Sequence, residues 1–133
     1  MIKAITTALT GLNASTKKVE NSASNIANSS SAGSLDPEHA KQPYSNQITT
    51  QETNKTGGVT VNTTTKDPGF IPSYSPDSPF ADKNGLIGVP NTDLTEEIVN
   101  IKMAELNYKA NLKVIQTASQ MQNDLIKSLD KKV

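Results

Sequence analysis

Residues 93–133 read DLTEEIVNIKMAELNYKANLKVIQTASQMQNDLIKSLDKKV, and this stretch decides the fold. It contains neither proline nor glycine, and its apolar residues return every three or four positions, which is the spacing of one helix face. Pro90 cannot continue a preceding helix, Asp93 can cap a new one, and Glu96 follows Asp93 at the spacing of a capping box. We therefore predict a long C-terminal amphipathic helix, roughly 55 Å from end to end.

The apolar stripe of this helix runs over many more turns than an average globular helix has. A helix of this length with a sustained stripe is typical of a coiled coil or of an assembly. We predict that its packing or assembly surface consists of Leu94, Ile98, Ile101, Tyr108, Leu112 and Ile115.

Residues 2–28 predict a second amphipathic helix, whose apolar residues step by four and three alternately, as in a heptad seam. The rest of the segment is rich in Thr, Ser and Asn, which are indifferent helix formers, so it should not be stable alone. The C-terminal helix is the obvious partner, either in an ordinary intrachain core or between subunits. The residues predicted to pack are Ile5, Leu9, Leu12, Val19 and Ile26.

The middle of the chain has a different composition, dominated by Thr, Ser, Asn and Pro. Residues 44–65 alternate in the manner of a β-hairpin that turns at residues 54–58. Residues 70–92 contain four prolines, which predict extended chain rather than helix, with a short strand at residues 86–89.

Together these segments predict a mainly α fold with a small β and loop middle. We expect two long terminal helices that pair as an antiparallel coiled-coil-like hairpin, with a Thr/Ser/Pro-rich β-hairpin insert. The division is an N-terminal helix at 1–28, a middle segment at 29–92 and a C-terminal helix at 93–133. Because the helix pair alone is not comfortably stable, we expect stability to come from packing against other subunits.

Composition limits both the core and the classes of function. Only 34% of the 133 residues are hydrophobic and none is Trp, so a large central core is not expected. Net charge is zero and every basic residue is Lys, which argues against a nucleic-acid or membrane surface. The absence of Cys excludes disulfides and thiolate chemistry, and no apolar run reaches the roughly 20 residues that cross a bilayer.

The sequence offers little for catalysis or metal binding. His39 is the single histidine and lies in a polar loop without a second ligand or a Ser motif nearby. Asp77 and Asp82 do not follow the spacing of a calcium loop, and the Gly57-Gly58 pair lacks the lysine of a phosphate loop. We therefore expect no enzyme (a cell-wall hydrolase included), no metal, no cofactor and no small-molecule substrate.

Short motifs follow one another along the whole chain in a particular order. The residues in them that we single out are Asn25, Asn28, Pro76, Pro79, Pro90, Asn91, Ala110 and Asn111. They belong to the runs Asn25-Ile26-Ala27-Asn28, Tyr74-Ser75-Pro76-Asp77-Ser78-Pro79, Pro90-Asn91 and Tyr108-Lys109-Ala110-Asn111. In this order and spacing the motifs resemble the bacterial flagellar basal-body rod protein family, specifically its C-type proximal-rod subunit.

The resemblance implies a structural subunit that self-assembles helically with other rod proteins into the hollow shaft between the membrane ring and the hook. Its implied partners are copies of itself, other rod subunits and the flagellar type III export apparatus, with no nucleic acid and no direct membrane insertion. Its implied location is the periplasm-spanning rod of the basal body, reached without a cleaved signal peptide. The alternative is a helical adaptor or export-chaperone-like binding module; one-to-one partner capture rather than self-assembly would favour it.

Overall fold

The computed structural model describes residues 1–38, 41–55 and 57–130, so His39 and the last three residues of the predicted C-terminal helix lie outside the described residues. The described chain contains two helices and four strands. In order they are α1 (Ile2–Asn28), β1 (Gln47–Thr53), β2 (Val59–Thr65), β3 (Phe70–Tyr74), β4 (Leu86–Pro90) and α2 (Leu94–Asp130). The predicted arrangement of two terminal helices around a small β middle is confirmed.

The start of α2 follows the predicted capping. The Asp93 carboxylate accepts hydrogen bonds from the amides of Thr95 at 2.8 Å and Glu96 at 3.3 Å, which satisfies two unpaired donors of the first turn. The Glu96 side chain does not complete a capping box, because its carboxylate lies 3.9 Å from the Lys66 ammonium in the middle segment. The helix then continues without a break for 37 residues.

The two helices run antiparallel. Asn25 of α1 is hydrogen-bonded to Glu97 of α2, and Gly11 lies against the side chain of Asn111. Gly11 is fourteen residues before Asn25, and Asn111 is fourteen residues after Glu97, so the two helices run in opposite directions. The fully buried helix positions other than Asn25 and Glu97 carry small side chains: Ala8, Ala14, Ser15, Ser22, Ala104 and Ala118.

Small side chains at the contact let two helices approach closely, but they bury little apolar area. Apart from Pro43 and Pro90, Ile87 of β4 is the only buried apolar residue larger than Ala among the described residues. The expectation that the chain lacks a large central core is confirmed.

The first hairpin, β1–β2, forms where it is predicted and lies along α1. Its register pairs Gln47 with Thr65 at the open end and Thr53 with Val59 beside the turn. The open end contacts Asn25, whereas near the turn the Val59 amide donates to the Thr10 hydroxyl at 3.1 Å. The hairpin therefore covers one side of the helix pair.

A second hairpin, β3–β4, was not predicted. The four prolines of residues 70–92 predict extended chain rather than helix, and they do not indicate that residues 70–74 pair with the predicted strand at 86–89. In a two-stranded sheet, however, both strands are edge strands, so Pro72 can pair with Gly88 without leaving an interior ladder short of a donor. Gly33 adds a further bridge to Gly88, with amide-to-carbonyl distances of 3.0 and 2.9 Å.

Candidate assembly surface

One side of the helix pair has no covering element among the described residues, and we call this side the open face. On α1, Val19 and Ala23 are each two residues, or about 200° around the helix, from Asn21, which touches the hairpin. Val19 and Ala23 line a groove of about 580 Å³ together with Ile101 and Tyr108 of α2. The groove is apolar and open to solvent, and it lies opposite the first hairpin.

Of the residues predicted as a packing or assembly surface, Val19, Ile101 and Tyr108 line the groove of the open face. None of the predicted residues is fully buried within the chain. Those that are exposed are Leu9, Leu94, Ile98, Tyr108 and Leu112. Those that are half-buried are Ile5, Leu12, Val19, Ile26, Ile101 and Ile115. The large side chains of both predicted surfaces are therefore at most half-buried in the single chain, whereas the fully buried helix positions carry mainly Ala and Ser; Ile98 is 55% exposed.

Charged side chains lie at the border of the open face. Glu105 accepts hydrogen bonds from Lys109 at 2.6 Å and from Lys102 at 3.2 Å, both one helical turn away. The hydrogen bond from Lys109, followed by that from Lys102, lowers the pKa of Glu105 below its ordinary value. The three side chains carry a net charge of one positive unit, so they favour the solvent-exposed border over a contact with an apolar surface.

Asn25 is the most buried of the predicted motif residues, with no exposed surface. Its amide nitrogen donates to the Gln47 carbonyl at 2.7 Å and to the Glu97 carboxylate at 2.6 Å. Its amide oxygen accepts from the Tyr44 hydroxyl at 3.0 Å and from the Gln47 amide at 3.1 Å. We call Asn25, Tyr44, Gln47 and Glu97 the Asn25 cluster; it joins α1, α2 and the first hairpin at one point.

The other motif asparagines have separate positions. Asn28 donates within α1 to the Ser24 carbonyl at 2.8 Å, and Asn111 donates within α2 to the Asn107 carbonyl at 2.9 Å. Asn91 ties the chain before α2 to the turn before β3, since its side chain donates to the Pro68 carbonyl at 3.1 Å.

The remaining motif residues do not meet the asparagines at one site. Pro90 is buried at the end of β4, whereas Pro79 is exposed. Pro76 lies close to Gly85, and Ala110 lines a groove near Met1.

Sequence reasoning missed three members of the Asn25 cluster. The sequence places Glu97 in the first turn of the C-terminal helix, where an acidic side chain is expected at the surface, yet it is 5% exposed. Tyr44 and Gln47 belong to the segment predicted as a β-hairpin, and nothing in that pattern indicates a contact with Asn25. The signal that was present is the motif asparagine itself, because a buried carboxamide requires partners for both its nitrogen and its oxygen.

Among the described residues, no three His, Cys, Asp or Glu side chains are grouped as metal ligands would be. In the same part of the chain, no helix has the length and apolar character needed to span a bilayer.

Comparison with known proteins first identifies the class of protein to which the chain is similar. Residues 83–128 match the model of the C-terminal region of the flagellar basal body rod FlgEFG proteins. This region includes most of α2, so the family match falls on the same helix whose sequence predicts the fold.

Curated relatives over most of the chain define the particular family. The basal-body rod protein FlgC of Buchnera aphidicola subsp. Baizongia pistaciae is 36% identical over 83% of this chain and 84% of its own. FlgC of Yersinia enterocolitica and of Salmonella typhimurium show the same identity and coverage. The chain belongs to the FlgC family of flagellar basal-body rod proteins. The predicted family, the role as a structural rod subunit and the location in the basal body are confirmed.

Proposed function

We propose that the chain builds the proximal part of the rod by packing its open face against copies of itself and against other rod subunits in a helical array. The observation that carries the proposal is the position of the large apolar side chains. The fully buried helix positions carry mainly Ala and Ser, whereas five of the eleven predicted surface residues are exposed in the single chain.

The energetic argument favours burial of this face. A Leu or Ile side chain gains about 1.5–3 kcal/mol when it moves from water into a packed interior. Contiguous apolar patches on a monomer mark protein interfaces, and this one extends along both helices. Burial between subunits would therefore supply the stability that the small intrachain core does not.

The packing between subunits that we propose is coiled-coil-like. The heptad-like spacing of Ile5, Leu12, Val19 and Ile26 places them on one side of α1, beside the open face of α2. Such side chains can fill the spaces between residues of a neighbouring helix, whereas the Ala and Ser residues of the intrachain contact cannot.

Export in an unfolded form is also part of the proposal. A chain without Cys cannot be trapped by disulfides, and a core built mainly of Ala offers little resistance to unfolding. We propose the flagellar type III apparatus as the export partner and an assembled role without catalysis. Ordering on assembly then stabilises the chain by mass action.

The experiment is electron microscopy of basal bodies from a strain that lacks the gene, together with motility. We expect rings without a completed rod or hook, rescue by the intact gene, and no rescue by a gene that lacks residues 93–133. Complete, rotating flagella in the deletion strain would contradict the rod proposal and would favour the adaptor function.

A further inference from the structure

The alignment of α1 and α2 depends on which side chains meet in the contact between them. Its buried members other than Asn25 and Glu97 are Ala and Ser. After a shift of one turn that brings Ile101 to the place of Glu97, Tyr108 and Gln122 would take the places of Ala104 and Ala118. Packing therefore opposes this shift, but it does not couple the helix alignment to the hairpin.

We propose that the hydrogen-bonded pair of Asn25 and Glu97 is a register-specifying device, which also couples the helix alignment to the docking of the first hairpin. The two side chains join the helices at 2.6 Å, and both are buried. In a helix pair shifted by one turn, Asn25 would face Ile101 or Asp93 in place of Glu97. A shift toward Ile101 would leave both the buried amide and the buried carboxylate without their partner.

The coupling to the hairpin follows from the other atoms of Asn25. Both ends of its carboxamide bind the backbone of Gln47. The nitrogen donates to the Gln47 carbonyl, and the oxygen accepts from the Gln47 amide. One side chain thus contacts the partner helix and the hairpin at the same time. Fixing the alignment of paired helices is the best attested role of buried polar side chains.

Register matters for the open face because residues of both helices form it. Val19 and Ile101 line one groove only when the helices are aligned as observed. The inference concerns the single chain, and it stands whether or not the open face is the assembly surface.

The chain contains no Cys, so pairs of introduced cysteines report the register directly. Ala4 and Ala118 line one groove in the observed alignment, and each lies twenty-one residues along its helix from Asn25 or Glu97, so we infer that they are opposite each other. Gln122 takes the place of Ala118 after a shift of one turn. We compare disulfide formation in the purified chain between Ala4→Cys/Ala118→Cys and Ala4→Cys/Gln122→Cys, because the bond forms only where the two backbones approach closely.

In the parent chain we expect the observed-register pair to be trapped about tenfold faster than the shifted pair, since the shift leaves buried polar groups unsatisfied. In the Asn25→Leu/Glu97→Leu background, where the buried pair is apolar and the chain can still fold, we expect the preference to fall to about threefold or less. Glu97→Gln should retain the preference, because its amide oxygen still accepts from Asn25. Asn21→Ala, which removes a hydrogen bond to the same Gln47 carbonyl from an unburied position, is the matched control.

A second measurement tests the coupling. Amide hydrogen exchange of Gln47 should accelerate about tenfold in the double leucine variant, because the amide loses its acceptor, and should be unchanged in Glu97→Gln. The proposal is overturned if the parent traps both cysteine pairs equally, or if the double leucine variant keeps the full preference. It is equally overturned if Gln47 exchanges at the parent rate when Asn25 is Leu. None of these results depends on rod assembly, so failure here is distinguishable from failure of the proposed function.

Discussion

The two sides of the helix pair differ in how their polar and apolar groups are placed. The side under the first hairpin is held by directed hydrogen bonds, from Asn25 and Asn21 to Gln47 and from Val59 to Thr10. The open face has large apolar side chains, such as Ile98 and Tyr108, with substantial exposure and no covering element from the described chain.

This difference separates two physical roles within one short chain. Hydrogen bonds to buried groups are directional, so they suit contacts that must be made in one geometry within the subunit. Apolar burial is non-directional and proportional to area, so it supplies the free energy of association between subunits. The following variants change one side at a time.

The largest expected effect is on the open face. Leu112→Asp should abolish incorporation into the rod, because a carboxylate would be desolvated between subunits without a partner. Motility and the yield of complete basal bodies measure it. Leu106→Asp is the matched control, since Leu106 is 69% exposed and lies about 120° around α2 from Leu112. Normal rods from Leu112→Asp would remove this residue from the assembly surface.

On the covered side, Asn25→Ala should lower the free energy of unfolding by about 2–4 kcal/mol, because Glu97 and Gln47 both lose a buried partner. The midpoint of urea unfolding measures it. Asn28→Ala removes only a bond within the same helix and should cost less than about 1 kcal/mol. Equal losses for the two variants would show that the Asn25 cluster contributes no more to the free energy of unfolding than a hydrogen bond within one helix.

The contact of the hairpin turn with α1 is tested by two neighbouring glycines. Both have positive φ, 90° at Gly57 and 97° at Gly58, so alanine is strained at either position. A Cβ at Gly58 would approach the Thr10 hydroxyl, whereas one at Gly57 would lie 3.7 Å from Thr7 in ordinary contact. Gly58→Ala should therefore destabilise by about 1–2 kcal/mol more than Gly57→Ala. Equal unfolding midpoints would mean that the hairpin turn does not rest on α1.

The smallest effect is the pH dependence at the border of the open face. The folded pKa of Glu105 is lowered by hydrogen bonds from Lys109 and Lys102, so its stabilisation is present above the unfolded pKa of about 4.3. That stabilisation is lost as pH falls through the lowered folded value. Unfolding midpoints of the parent and Glu105→Gln should differ slightly at pH 7 and converge on acidification. A constant difference would show that the ion pairs contribute nothing.

The helices and the first hairpin could be predicted because their signals are local. The proline-free, glycine-free periodicity of residues 93–133 and the Asp93 cap depend on neighbours in sequence. The turn at residues 54–58 likewise carries its own glycines. The second hairpin was missed because the prolines of residues 70–92 indicate extended chain but do not show which extended segments pair.

The intrachain helix contact could not be predicted for a related reason. The periodicity marks two rows of large apolar residues as suitable for burial, but it does not say whether the partner is the same chain or another one. The hydrogen bond between Asn25 and Glu97 could not be predicted either, since the two residues are 72 positions apart in sequence. Their pairing depends on the helix alignment.

The most direct test of the central claim is photo-crosslinking in assembled basal bodies, with a photoreactive phenylalanine analogue at Tyr108 of the open face. A second chain carries the analogue at Thr60, which is exposed on the first hairpin. The account predicts adducts between rod subunits from position 108 in greater yield than from position 60. Adducts from position 60 with none from position 108 would contradict it, because the open face would then remain uncovered in the rod.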